Sequence, residues 1–226
     1  METETTGRRV WATVLYDRLC LSGVLVLDFS LRKQGTKHPL IVIMTNEAAR
    51  DADITSVLDA AGITMVFVDT IFAEYQGKRY FGNWQKLSAW SLTDYERIVL
   101  LDSNQLILQP IDNLQTTLFS HGLLASGSGD RNDYIAAVLT APGHPHPSTI
   151  ILHPSLAQYH RLRSTLNEFF FSRANEQDVL VMAYRGRVAS LLPEYSALES
   201  LEGMVRGLRK IMVDRLQVVV LKCREA

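Results

Sequence analysis

The sequence predicts an α/β domain built on a mostly parallel central sheet, and three observations carry that expectation. Between positions 10 and 102, apolar runs of strand length alternate with segments whose apolar residues recur on a helical period. The runs lack the in–out alternation of a half-exposed strand, as expected where helices cover both faces of a sheet. The run Ile98, Val99, Leu100, Leu101 stops at Asp102, and ligands of such sheets bind just beyond the carboxyl ends of the strands.

The elements follow in order. Residues 10–16 are β-branched and aromatic and predict a first strand. Residues 22–33 carry a helical period that ends at Gly35. A second strand is expected over 39–44, a helix over 54–61 stopped by Gly62, and a third strand over 63–68 ended by Asp69. The stretch 70–82 is polar with aromatics and predicts a loop, and 84–92 predicts a helix with Leu87, Trp90 and Ser91 on one face. A short apolar run follows at 106–108; Pro110 stops pairing there, and Asp112 is placed to cap a helix from Asn113. Residues 126–147 predict a surface loop. Its Gly-Ser-Gly lacks the spacing and the Lys of a P-loop, and His144, His146 and His153 lack a carboxylate or Cys at ligand spacing. A strand over 148–152, a helix over 156–170 capped by Ser155, a helix opening at Glu176 and a strand over 216–221 complete the chain.

At 226 residues the chain can bury one good core. A formal net charge of -1 gives no electrostatic case for nucleic acid or an anionic membrane. Cys20 and Cys223 make no disulfide framework and no zinc spacing. The polar start METETTGRRV has no signal-peptide core, and the apolar stretch 19–31 is too short to span a bilayer. The expected compartment is therefore reducing and cytoplasmic. No G-x-G-x-x-G follows the first strand, which argues against a dinucleotide oxidoreductase.

Three candidate site groups have both a structural and a functional reading. Asp102 at a strand tip needs a partner, because an unpaired buried charge is expensive; a helix cap or salt bridge competes with a metal or sugar ligand. Lys86 taken alone reads as a solvated helix Lys, the commoner case for a lone Lys. Glu176, Gln177 and Asp178 open a helix, where acidic residues are favoured by the helix dipole alone.

The stretch KLSAWSLTDYERIVLLD…LILQPIDNL, residues 86–114, resembles the core of glycosyltransferase family 8, the group containing glycogenin and galactinol synthase. ATVLYDRLCLSGVLVLDFSLRKQGTKHPLIVIMT resembles the family's first strand, helix and second strand, and LLPEYSAL its L-P-x-x-Y-N, with Ser196 in place of Asn. The resemblance implies a GT-A type, Rossmann-like single domain over 8–222 that binds a UDP-sugar with manganese and transfers a hexose to an acceptor with retention. It assigns the nucleotide to Val14, Tyr16, Asp17, Lys86, Asp102 and Ser103, and the sugar chemistry to Glu176, Gln177 and Asp178. Cys20 stands where the family usually has Tyr, and His146, Pro147 and Ser148 stand at its N-S-G. The family's D-A-D reads Asp102-Ser103-Asn104 here, so the metal ligands are Asp102 and the amide oxygen of Asn104. The family's third ligand, a His, is matched by Val220. Fewer charges repay less of the dehydration of manganese, so a weak or absent manganese site and impaired activity are expected. The alternative is a catalytically inactive family member acting as a binding or scaffold protein. A homodimer is left open.

Overall fold

A computed structural model of the protein describes residues 8–75, 78–81, 84–116, 131–168, 175–192, 195, 197–199 and 218–221. The strands are β1 (Arg8–Leu15), β2 (Leu40–Thr45), β3 (Thr64–Val68), β4 (Phe72–Tyr75), β5 (Lys78–Phe81), β6 (Tyr95–Leu101), β7 (Gln105–Ile107), β8 (Ile135–Ala141), β9 (His144–Leu152), β10 (Val188–Leu191), β11 (Ala197–Glu199) and β12 (Val218–Leu221). The α-helices are α1 (Leu21–Lys33), α2 (Ala52–Ala60), α3 (Leu156–Glu168) and α4 (Glu176–Ala183).

Seven strands form the main sheet in the order β10-β8-β9-β6-β1-β2-β3. The pairs β10–β8, β6–β1, β1–β2 and β2–β3 are parallel, whereas β9 runs antiparallel to both β6 and β8. The expected mostly parallel sheet is therefore present. β1 and β6 lie at its centre, and the side chains from Ile98 to Leu101 are completely buried. Alternate residues of β6 serve opposite faces: Ile98 and Leu100 pack with Trp90, Leu162 and Leu180, while Val99 and Leu101 pack with Leu27, Leu31 and Ile107. A strand with two apolar surroundings cannot alternate in polarity, which explains the unbroken run in the sequence.

Several local expectations differ from the structure. The stretch 70–82 contains the antiparallel hairpin β4–β5 rather than only a loop. The helix expected over 84–92 is present as a 3-10 helix, Gln85–Ser91. Asp112 is no helix cap: it lies inside the short 3-10 helix Asp112–Gln115, and its carboxylate accepts from Thr36 Oγ1 and the Lys37 amide. The described end of the expected 126–147 loop is strand. β8 and the start of β9 pair through it, and β9 takes in both His144 and His146. Sheet pairing thus overrides the Pro-rich local signal, and Pro145 and Pro147 are accommodated beside register irregularities. The Gly-Ser-Gly run lies outside the described residues. β10 and β11 carry too little apolar periodicity to have been read from sequence.

One close approach fixes a helix against the strand end that matters most. A Cβ on Gly23, in α1, would collide with the backbone carbonyl of Ser103. Gly23→Ala is therefore expected to destabilise the protein by about 1–3 kcal/mol, because a backbone carbonyl cannot swing aside as a side-chain tip can. Urea unfolding, with exposed Ser22→Ala as a control, measures this. A loss no larger than the control's would show that the two backbones separate freely.

Candidate functional site

The site is assembled at the carboxyl ends of β1 and β6 from four segments far apart in sequence. β6 ends at Leu101, and the chain turns immediately: the Gln105 amide donates to the Asp102 carbonyl at 3.2 Å. The Asp102 amide donates to Ser148 O at 3.0 Å and to Gln105 Oε1 at 2.9 Å. Gln105 Nε2 in turn donates to Thr149 Oγ1, which donates to Tyr195 O, both at 2.9 Å. Gln105 and Thr149 are almost wholly buried. A buried amide with both ends bonded holds its neighbours in one arrangement, so Gln105 clamps the turn from below while α1 presses on Ser103 from the side.

Lys86 reaches this turn from the 3-10 helix. Its neighbour Gln85 anchors that helix by accepting from the Ile71 amide at 3.0 Å and donating to Asp69 O at 2.7 Å. Lys86 is buried, and its ammonium lies 2.5 Å from Asp102 Oδ1, 3.4 Å from Glu176 Oε1 and 3.0 Å from Pro147 O. A lysine ammonium has three N–H donors, so each has an oxygen to face. Burial alone would lower the Lys86 pKa. The carboxylates of Glu176 and Asp102 more than offset this and hold it above its ordinary value.

Glu176 arrives on the first turn of α4. A reciprocal capping box starts that helix: Asn175 Oδ1 accepts from the Asp178 amide at 3.0 Å and Asp178 Oδ2 from the Asn175 amide at 2.9 Å. Burial pushes Glu176 up to about 7, with Lys86 opposing and Asp102 adding to the rise. A lone ammonium shared between two carboxylates cannot fully hold both ionised. Tyr16, just beyond β1, is raised well above its ordinary range, first by burial and then by Glu176 and Asp102. This places its phenol in the same field.

The structure thus brings together Tyr16, Lys86, Asp102 and Glu176, and sets the other candidates apart. The Val14 side chain is buried in the core with Ile41 and Ile98, leaving only its backbone for a ligand. Asp17 is a cap, with Oδ1 accepting from the Leu19 and Cys20 amides at 2.8 and 3.2 Å. Asp178 is engaged in the capping box with Asn175. Gln177 donates to Thr140 Oγ1 at 3.1 Å, on β8. Ser103 presents its carbonyl to α1. His146 Nδ1 and Ser148 Oγ are 2.6 Å apart. His153 belongs to another place, with Nδ1 bonded to Glu96 O near the start of β6. The sequence reading missed Gln105 and the Pro147 carbonyl. A backbone acceptor leaves no sequence signal, whereas a Gln inside an apolar run could have been read as a buried clamp.

The residues present do not fit a manganese ion well. Asp102 already pairs with Lys86, and position 104 offers a neutral amide whose Oδ1 is buried without a hydrogen-bond partner among the described residues. No cluster of three or more His, Cys, Asp or Glu suited to a metal occurs among the described residues. β12 runs antiparallel to β7 with Val220 opposite Gln105, so the backbone of the expected third ligand reaches the turn, but a valine offers it no donor atom.

From pH 4.5, near the ordinary Glu value, to about 7, Glu176 should reduce stability as pH rises. The sign follows from its raised pKa: the folded state holds the proton more tightly, so the contribution is complete below the unfolded value and lost through the folded one. Glu176→Gln is expected to flatten this slope and to gain on the order of 1–3 kcal/mol over wild type above neutrality. Urea unfolding across this pH range measures it, and parallel profiles for the two proteins would refute the assignment.

No protein-family model matches the chain. The UDP-glucuronate:xylan alpha-glucuronosyltransferase 1 of Arabidopsis thaliana is 28% identical over 110 residues, 47% of this chain and 16% of that protein. Glycogenin of Neurospora crassa is 26% identical over 117 residues, 49% of this chain and 17% of that protein. The chain therefore spans less than a fifth of the length of either relative. Among solved structures, the glycosyltransferase GlyE of Streptococcus pneumoniae TIGR4 superposes with a TM-score of 0.66 at 12% identity, over 96% of this chain and 56% of that one. No helix among the described residues is long and apolar enough to cross a membrane. The chain is a relative of the glycosyltransferases of family 8 and carries their GT-A type fold.

Proposed function

We propose that this protein is a retaining glycosyltransferase of family 8 type that transfers a hexose from a UDP-sugar to an acceptor. The observation that carries the reading is the convergence of Lys86, Asp102 and Glu176 at the carboxyl ends of β1 and β6, where open α/β sheets bind nucleotides. The names of the relatives support a UDP-sugar donor. Transfer develops negative charge on the departing diphosphate, and Lys86 is the cation that would stabilise it. Glu176 lies beside Lys86 and holds or releases a proton near neutrality. Gln177, one residue on, carries a side-chain amide able to bond sugar hydroxyls. Asn175 and Asp178 fix the turn on which both stand. Asp102 and Asn104 make at most a weak manganese site, and no step is assigned to the metal.

The second reading, an inactive family member that binds but does not transfer, is favoured by the neutral Asn104 and by Val220 opposite Gln105. Calorimetric titration of UDP, together with UDP release from a panel of UDP-hexoses and UDP-glucuronate, separates the readings. Transferase function predicts turnover of at least one donor and a fall of about 100-fold or more in Glu176→Gln. UDP binding with no turnover of any donor would favour the inactive reading, and absence of UDP binding would overturn both.

A further inference from the structure

We propose that Lys86 is a built-in cation filling the place of a divalent metal, so that the wild-type site is metal-free and a metal site opens only when Lys86 is removed. The ammonium sits within a cage of three oxygens from three different elements: Asp102 Oδ1 at the tip of β6, Glu176 Oε1 on α4 and Pro147 O on β9. Two carboxylates and a backbone carbonyl are hard oxygen ligands of the kind magnesium, manganese and calcium take. Asn104 lies two residues from Asp102 on the same turn, its buried Oδ1 without a hydrogen bond among the described residues.

The cage is held from outside. Gln105 clamps Asp102, the Asn175–Asp178 capping box fixes Glu176, and Ser148 O, next to Pro147, accepts from the Asp102 amide. An ammonium on a tethered side chain acts at very high effective concentration and need not shed a full hydration shell, so it outcompetes a free ion for these oxygens. A divalent ion arriving while Lys86 is present meets a like charge and finds Asp102 already engaged. The cage oxygens persist when Lys86 is shortened or neutralised, and two carboxylates then lack any counter-charge. That imbalance is what creates affinity for a divalent ion.

Manganese chloride alone is the probe, so the test does not depend on the donor reading. Titration by calorimetry and by the manganese paramagnetic resonance signal is expected to find wild type at least about tenfold weaker than Lys86→Met or Lys86→Gln. Melting temperature should rise with manganese in those variants and stay unchanged in wild type. Adding Glu176→Gln to Lys86→Met should remove the gain. Asn104→Asp, which adds a carboxylate but keeps Lys86, should gain less than Lys86→Met, so that occupancy by lysine rather than charge count is the deciding factor. Wild-type manganese binding as tight as that of the variants overturns the inference, as does a folded Lys86→Met protein with no gain. If neither Lys86 variant folds, wild type decides: in nitrogen-15 spectra the Lys86 ammonium resonance should survive added manganese, and its broadening overturns the proposal. A final arm, which rests on the UDP-sugar reading, compares UDP affinity of wild type with manganese and with a chelator. Equal affinities support the inference, a manganese-dependent increase overturns it, and no UDP binding in either condition overturns the donor reading while the metal-alone result stands.

Discussion

The interaction on which the site depends is one buried ammonium shared by two carboxylates. Lys86, Asp102 and Glu176 come from a 3-10 helix, a strand end and the first turn of a helix, and nothing in sequence distance brings them together. Each taken singly would be costly to bury. Together they are tolerable, and their mutual dependence ties α4 and the 3-10 helix to the central sheet. Such an arrangement gains little stability over an apolar core of the same shape, but losing Lys86 would strand both carboxylates. It therefore persists where geometry at that point matters more than stability.

The geometry is fixed by uncharged neighbours. The Gln105 side chain holds the turn after β6 through two hydrogen bonds, to the Asp102 amide and to Thr149, which in turn bonds Tyr195 O, and Gly23 lets α1 lie against the same turn. Gln85 pins the helix of Lys86 to the end of β3. The charged residues sit on a frame of neutral amides and a missing side chain. This division is physically sensible, since directional hydrogen bonds position better than long-range charge does.

Much of this frame was legible in the sequence, for identifiable reasons. The strands β1, β2, β3 and β6 are buried on both faces, so their apolar runs are unbroken and easily read. α1 and α2 keep an apolar period because each covers the sheet with one face. Legibility failed where pairing overrides local preference. β8 and β9 pass through a stretch containing Pro145 and Pro147 that reads as loop, and β4–β5 pair across polar residues. At the site, Asp102, Lys86 and Glu176 could be singled out from motif and position. What sequence could not supply was which of three adjacent polar residues faces inward. Helical geometry turns Glu176 to Lys86 and gives Asp178 to the cap, and Asp17 likewise serves the backbone. The Pro147 carbonyl enters the site through the fold alone.

The charge arithmetic of the turn has a consistency that its individual substitutions do not reveal. A carboxylate at position 104 would add a third negative group to the site, on the turn that carries Asp102, and a divalent ion would balance it. With Asn104 the count falls to two carboxylates and one ammonium. The residual charge is closed by a proton, since Glu176 is raised to about 7 by its burial. Val220, opposite Gln105 on β12, is consistent with such a site: a position that holds no ion needs no donor atom. The neutral amide, the apolar residue and the caged lysine are three expressions of one electrostatic state, in which the chain supplies its own cation.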